Sequence, residues 1–568
     1  MSVGLGNVWR FPFTAYENGG GAFLIPYILV LLFIGKPLYY MELCIGQFSS
    51  FGSVKVWEMS PAFRGIGYGQ AVATWSVVTY YVSLMAITVY YFFASFQRNL
   101  PWSVCGDWAN HTDCVEPTGN STSNTSISSA QAYFVHEVLK EDELGLASGI
   151  GLPEWRLALC LLLSWIILFL VLAKGVQGSG KAAYFTALFP YLVLFILLIR
   201  GLTLEGAWDG VWFFINPQWE KLLEAKVWYA AVGQSFFSLS VGFGSITMFS
   251  SYNNFRHNVY RDAAIISVTD TFTSVLAGVT IFAILGHLAH NLGTDVENVI
   301  SSGGTSLAFV SYPDVLARFT FAPQFFAVMF FLMLFTLGVG SASALTGCIV
   351  TIICDDFPHF KRWVVTLVVC VLGFLLGLFY ITPQGQFILT LVDHYGGTII
   401  IFILAVAEVI AVQWVYGVNN FCRDIEFMLN RKTGYYWKFC WAVFIPVILT
   451  IIFFYKMLSG DALSHAGVVF STGSNAFGVI IVTIACALLP LFFGYTVMKR
   501  RSKAANLLEA VKQSFKPTEH WCPKDPVIMR EYKALLESTR PPPIEGIENP
   551  FGPMDHNPDD NTKTENKV

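Results

Sequence analysis

Charge is scarce in this chain. Of its 568 residues only 13% are Asp, Glu, Lys or Arg, while 55% are hydrophobic. A soluble domain carries about 25% charged residues, so the shortage excludes a water-soluble fold, which would have no surface to expose. Other signatures are missing too. No His/Cys spacing resembles a metal site, and there is no nucleotide-binding glycine loop or nucleophile elbow, which argues against an enzyme. An ion channel's carbonyl filter motif and rings of charge are also lacking. No stretch has the layout of a cleavable signal peptide. The formal net charge of −4 gives no reason to expect a nucleic-acid partner. Most of the 11 cysteines fall within apolar runs, where a thiol acts as a small hydrophobe.

Apolar runs are what the chain has in abundance. Mean hydropathy is +0.57, and runs of the roughly 20 residues needed to cross a bilayer recur. They are continuous rather than alternating, so helices are expected and not a barrel. Twelve spans are predicted, near 1–17, 21–48, 68–98, 155–173, 180–202, 226–250, 262–291, 321–353, 361–382, 386–417, 434–458 and 474–500. The first is short because Met1 already lies in an apolar segment, and a preceding piece is expected to be missing. The expected class is therefore an all-α membrane protein with a transmembrane domain over 1–500 and a polar, largely disordered tail over 501–568.

Loop charges give an orientation. Lys55, Arg64, Lys174, Lys181, Arg256, Arg261, Lys361, Arg362, Arg423, Arg431, Lys432 and the basic run Lys499–Lys503 fall on one side, predicted to be cytoplasmic. Both termini then lie in the cytoplasm. The loop 99–154 lies outside, with sequons at Asn110, Asn120 and Asn124 that make it a candidate for glycosylation. Cys105 and Cys114, close together in that polar loop, are expected to form a disulfide.

Two similar interruptions stand out. Val3-Gly4-Leu5-Gly6-Asn7 falls in the first span and Val241-Gly242-Phe243-Gly244-Ser245 in the sixth. Each glycine weakens a helix by about 1 kcal/mol, and non-helical backbone in a membrane survives only where it is buried or lines a cavity. Spans one and six divide the first ten into five plus five, the second five entering from the opposite side, which predicts an inverted repeat. Close helix packing through small residues is the plainer alternative. Unwound segments at a binding site would offer free carbonyls to a cation and a positive helix end to an anion.

Longer motifs carry a resemblance. Asn7-Val-Trp-Arg-Phe-Pro, Glu17-Asn-Gly-Gly-Gly-Ala-Phe-Leu-Ile-Pro-Tyr27, Pro37-Leu-Tyr-Tyr-Met-Glu-Leu and Gly233-Gln-Ser-Phe-Phe-Ser-Leu-Ser resemble the neurotransmitter:sodium symporter family (solute carrier family 6). Within it they are most similar to insect sodium-dependent nutrient amino acid transporters. The resemblance implies a leucine-transporter-like fold and two Na⁺ sites. One would use Ser2, Asn7, Ser238 and Asp270, the other Val3, Leu337, Gly340 and Ser341. A solute pocket is implied at Gly4, Gly6, Val77, Tyr81, Phe237, Ser240, Phe243, Ala342 and Leu345, with Gly4 leaving room for a solute that brings its own carboxylate. Arg10 and Asp393 match an outer gate, and Asp355 the carboxylate of an inner one. Gln234, Ser238 and Ser274 match a chloride-type site, with Phe48 standing where a tyrosine is expected.

The expected function is Na⁺-coupled uptake of neutral L-amino acids across the plasma membrane by alternating access. The runner-up solutes are GABA, glycine or osmolytes, and a transport-deficient nutrient sensor is the other alternative. Asp270 stands where the family has Asn. Its charge is expected to replace that of Cl⁻, weakening chloride dependence and admitting K⁺ or Li⁺, unless it is protonated and behaves as Asn. Glu42 is expected to be a satisfied structural carboxylate.

Overall fold

Ten described helices are long and apolar enough to cross a membrane: Gly21–Ser49, Pro61–Ala94, Trp155–Ala173, Phe185–Leu202, Val259–His290, Pro323–Asp356, Arg362–Ile381, Gly385–Leu429, Tyr435–Ser459 and Thr472–Arg501. This architecture is that of a computed structural model, which describes residues 4–109, 114–116, 127–141, 149–173, 176–293, 295–296, 307–319, 322–459, 463–465, 467–502 and 504–538. Near 1–17 and 226–250 stand shorter helices. Wide turns over Gly6–Arg10 lead into Phe11–Glu17, and Ala225–Leu239 is followed by Ser245–Ser250. The only described strands form two-residue ladders, Cys114–Val115 beside Ile127–Ser128 in parallel and Ser464–His465 against Val468–Val469.

Apolar side chains sort by position. The helices 61–94 and 323–356 bury most of their length in the centre. The helices 362–381, 435–459 and 472–501 leave Val371, Phe454 and Ile480 about half exposed, as spans facing hydrocarbon do. Close approach is glycine-based. A Cβ at Gly210 would sit 1.8 Å from the Phe282 carbonyl oxygen, so the 207–215 helix lies backbone against backbone on 259–290.

In the 99–154 loop Cys105 and Cys114 are disulfide-bonded, with Cα atoms 6.1 Å apart. The three sequon asparagines, Asn110, Asn120 and Asn124, lie outside the described residues. The expectation of a largely disordered tail needs correction over 504–538. Residues up to Cys522 belong to one compact unit with the spans. There, the Thr518 hydroxyl donates to Glu58 at 2.7 Å and the Trp521 indole N–H donates to the Tyr416 hydroxyl at 3.0 Å. Trp521 is buried, and that buried aromatic is the physical reason a polar segment orders. The second unit contains the helix Pro526–Ser538.

Candidate functional site

The helix Ala225–Leu239 stops where the chain leaves αR. Ser240 has φ +57°, Gly242 +82° and Gly244 +74°, and helix resumes at Ser245. Backbone groups freed by this break must find partners in the dry interior, and three neighbouring helices supply them. Glu42 accepts from the Gly242 N–H at 2.7 Å. The Thr74 hydroxyl donates to the Phe243 carbonyl at 2.8 Å, and the Cys348 thiol approaches the same carbonyl. Among the described residues only one Glu42 oxygen is used; Oε2 is buried with no hydrogen-bond partner among them. Glu42 is therefore structural but half satisfied.

Beside the break, five side chains from four helical segments form a buried polar cluster. The Asn7 amide nitrogen lies 2.9 Å from Ser238 Oγ, 2.8 Å from Asp270 Oδ1, 2.9 Å from Ser274 Oγ and 3.4 Å from the Asp270 carbonyl oxygen. An amide carries two protons, so it has more acceptors around it than it can serve. Ser238 donates to Asp270 Oδ1 at 2.6 Å, and the Tyr27 hydroxyl to Oδ2 at 3.0 Å. Tyr27 having spent its proton, Ser274 donates to Tyr27 at 3.2 Å. Asp270 is wholly buried, and these donors are neutral. Gln234 adjoins the cluster, donating to the Gly6 carbonyl at 2.9 Å.

Tyr27 corrects the expectation placed on Phe48. Phe48 packs its ring against Phe255 and Trp521, 21 residues further along the same helical stretch, roughly 30 Å away at helical rise. The hydroxyl at the cluster comes from Tyr27. Counting along one helix could not show which of its turns faces 259–290.

A cavity of about 30 Å³ lies against this cluster. Gly4, Gly6, Val77, Tyr81, Phe237, Ser240, Phe243 and Leu345 line it as expected, together with Asn7, Ser238 and Ser341. Ala342 does not; Ala344 takes its place. On the continuous helix 323–356, Ser341, Ala344 and Leu345 share one face at i, i+3 and i+4, while Ala342 points elsewhere and is fully buried. Tyr81 accepts from the Leu5 N–H at 3.4 Å. A Cβ at Gly4 would come within 2.8 Å of Ser341 Oγ, so a side chain there would require the Ser341 hydroxyl to move. Leu337, Gly340 and Ser341 share a face of the same helix. Their expected companions Ser2 and Val3 lie outside the described residues.

Arg10 and Asp393 meet at 3.3 Å above the cavity, the guanidinium 4.2 Å from the Phe237 ring centroid. Tyr80, absent from the expected set, donates to the same carboxylate at 2.6 Å. The Tyr80-Tyr81 doublet was the only sequence signal for it. Asp355, at the far end of 323–356, accepts from the Gly52 N–H at 3.3 Å, and Lys55 donates to its carbonyl.

Residues 1–500 match the profile of the sodium:neurotransmitter symporter family. The chain is 51% identical over 552 residues to the sodium-dependent nutrient amino acid transporter 1 of Drosophila willistoni, covering 93% of this chain and 86% of that protein. It is 51% identical over 561 residues to the protein of that name in Drosophila melanogaster, covering 94% and 86%. Against the Drosophila erecta protein the identity is 51% over 577 residues, covering 95% and 89%.

Proposed function

We infer the function from one premise, that this chain belongs to the sodium:neurotransmitter symporter family: it is a Na⁺-coupled amino acid symporter. The observation that carries the mechanism is the buried Asp270, whose carboxylate has three neutral donors. A buried charge is costly unless a counter-charge joins it, and a Na⁺ beside Asn7, Ser238 and Asp270 would be that counter-charge. The Ser2 carbonyl completes this proposed site. A second Na⁺ is assigned to Val3, Leu337, Gly340 and Ser341.

The solute's carboxylate is proposed to sit at the Gly4–Gly6 backbone with the Tyr81 hydroxyl as donor, its side chain between Phe237, Phe243 and Leu345. Gly4 supports an amino acid, because without a side chain of its own it leaves the cavity wall open to a solute that brings its own carboxylate. The small cavity favours glycine-sized solutes among the alternatives. For larger neutral side chains Phe237 and Phe243 must swing aside.

The segments 1–17 and 226–250 are proposed as spans one and six of twelve, in two inverted sets of five. The segments 6–49 and 225–290 would rock against 61–94, 155–173, 323–356 and 362–381. Arg10, Asp393 and Tyr80 would close the outer vestibule and Asp355 the inner one. The 99–154 loop faces outward and both termini lie in the cytoplasm of a plasma-membrane protein. Chloride dependence is proposed to be weak on a geometric ground: the Ser238 and Tyr27 hydroxyls that would hold Cl⁻ already donate to Asp270. K⁺ or Li⁺ would be accepted in place of Na⁺.

Uptake of radiolabelled amino acids into proteoliposomes under an imposed Na⁺ gradient tests the reading, with competition by each of the twenty amino acids. Concentrative, saturable, Na⁺-dependent uptake is expected. Solute-independent conductance, or binding without accumulation, would sink it.

A further inference from the structure

Two segments proposed to lie outside the membrane meet over one end of the helix 385–429. One is the stretch 127–141 of the long polar loop, the other the small hairpin of Ser464–His465 and Val468–Val469. The hairpin is seated on that helix. Phe470 packs with Phe387 and Leu391, and the His465 ring stands edge-on to Phe387 with centroids 4.7 Å apart. Opposite it, the helical turns Tyr133–Leu139 end at Lys140 in the left-handed region, φ +52°, and the Glu141 N–H returns to the Val135 carbonyl at 2.9 Å. That turn fixes the Glu141 backbone, and its carboxyl oxygen lies 3.9 Å from His465 Nε2.

The proton count at this contact follows from its neighbours. Thr390 Oγ1 spends its one proton on the Gln386 carbonyl at 2.9 Å, so it can only accept from His465 Nδ1 at 3.0 Å. Nδ1 therefore carries a proton. In the neutral ring Nε2 is then a bare lone pair, and it faces an oxygen of Glu141. Two acceptors facing each other repel unless a proton lies between them.

No other charge settles the pair. Among the described residues Lys140 is taken by Glu154 at 2.7 Å and Arg156 by Glu137 at 2.7 Å. Below the hairpin Arg10 pairs with Asp393, and Glu17, Lys226, His394 and Lys456 line the vestibule with Thr390 and Leu463. None of these forms an ion pair with Glu141 or His465. The side chains of Glu141 and His465 are only 13% and 15% exposed, so charge on either is costly. Burial pushes the Glu141 carboxyl up from 4.5 to about 7 and the His465 imidazole down to about 4. Near neutral pH the two are therefore not an ion pair; between them they hold one proton or none.

We propose that Glu141 and His465 share a single proton, and that this proton ties the 127–141 segment to the 463–470 hairpin and, through Thr390, to the end of the 385–429 helix. Protonated, the carboxyl O–H donates to Nε2 once the two close by about 1 Å to hydrogen-bond distance. Deprotonated, the carboxylate faces the lone pair and the tie opens to water. The closed tie holds its proton more tightly than the open one. It is therefore complete below the ordinary carboxyl range, weakens by about tenfold per pH unit from there to about 7, and is lost above. Leu463 and Thr390 line the vestibule, so its rim is firmer in acid than in alkali.

The test uses the full chain in lipid vesicles. Infrared difference spectra between acidic and alkaline buffer should show a protonated-carboxyl C=O band with a midpoint near 7. Glu141→Gln should remove that band, and His465→Phe should move it to lower pH. Hydrogen exchange, corrected for the intrinsic pH dependence of amide exchange, reads the tie itself. Wild-type peptides covering 463–470 should be better protected by about tenfold or more at about pH 5 than at about pH 8. Glu141→Gln keeps a neutral donor for Nε2 and should be protected at both. His465→Phe keeps a ring against Phe387 without the nitrogen and should be protected at neither. A carboxyl band untouched by Glu141→Gln, hairpin protection in the wild type that ignores pH, or an equal pH response in Glu141→Gln would overturn the proposal. The wild-type exchange arm needs no variant, so misfolding of either substitution leaves the outcome decisive. Neither readout depends on transport, so a failure of the symport reading would show separately, as absent uptake.

Discussion

Two carboxylates lie near the solute cavity, and they are held in opposite ways. Asp393 keeps its side chain 28% exposed, meets Arg10 at 3.3 Å and accepts from Tyr80. Asp270 is fully buried and accepts from an amide and two hydroxyls. The first has its counter-charge built in and gains little net energy from a pair that still touches solvent. Among the described residues the second is held by neutral donors, which fits the proposal that it takes its counter-charge from a bound cation. The lesson is that a carboxylate's role follows from what neutralises it more than from its depth.

Substitutions that exchange these environments test the contrast. The largest effect is expected from Asp270→Asn. Apparent Na⁺ affinity in uptake assays should fall by about tenfold or more, as expected when a charge-assisted contact of roughly 1.5–3 kcal/mol is lost. K⁺-driven uptake should vanish and chloride dependence should appear. An unchanged ion profile would mean that Asp270 behaves as a neutral ligand. Next comes Gly4→Asp, which places a side chain where Ser341 Oγ already lies; uptake should drop to background while surface expression, measured by biotinylation, persists.

Tyr27→Phe should shift Na⁺ dependence in the same direction as Asp270→Asn but less, since one of three donors is removed. Phe48→Tyr, far from the cluster, should leave the ion profile unmoved. The smallest change is expected from Tyr80→Phe, which leaves Arg10 on Asp393: a few-fold change in turnover by stopped-flow or electrogenic measurement, with ion affinity intact. Should Tyr80→Phe alter Na⁺ affinity as strongly as Tyr27→Phe, the separation of the two carboxylates would be broken.

Much of the site could be read in the amino acids themselves. The glycines at 242 and 244 mark a real departure from helix, because φ values of +82° and +74° at mid-span cost least in residues without a Cβ. The pocket positions near the breaks came from the family resemblance and not from the residues alone. Facing was not. Ala342 and Ala344 differ by two residues, about 200° around a helix axis, and nothing local says which looks inward. Tyr27 and Phe48 belong to one helical stretch, and only packing against 259–290 selects between them. Trp521 sits among polar residues, so its burial rests on contacts with Tyr416 and Asp424 that come from distant sequence.

Tyr80 and Tyr81 are neighbours on one uninterrupted helix, yet one holds the Asp393 carboxylate and the other reaches the Leu5 amide in the cavity. A single rod therefore serves two jobs. In the proposed mechanism a tilt that parted Tyr80 from Asp393 would also draw Tyr81 from the Leu5 amide, coupling gate and pocket. Redesigning cargo preference at position 81 would disturb the timing of the cycle, and a redesign aimed at both would have to treat the pair as one part.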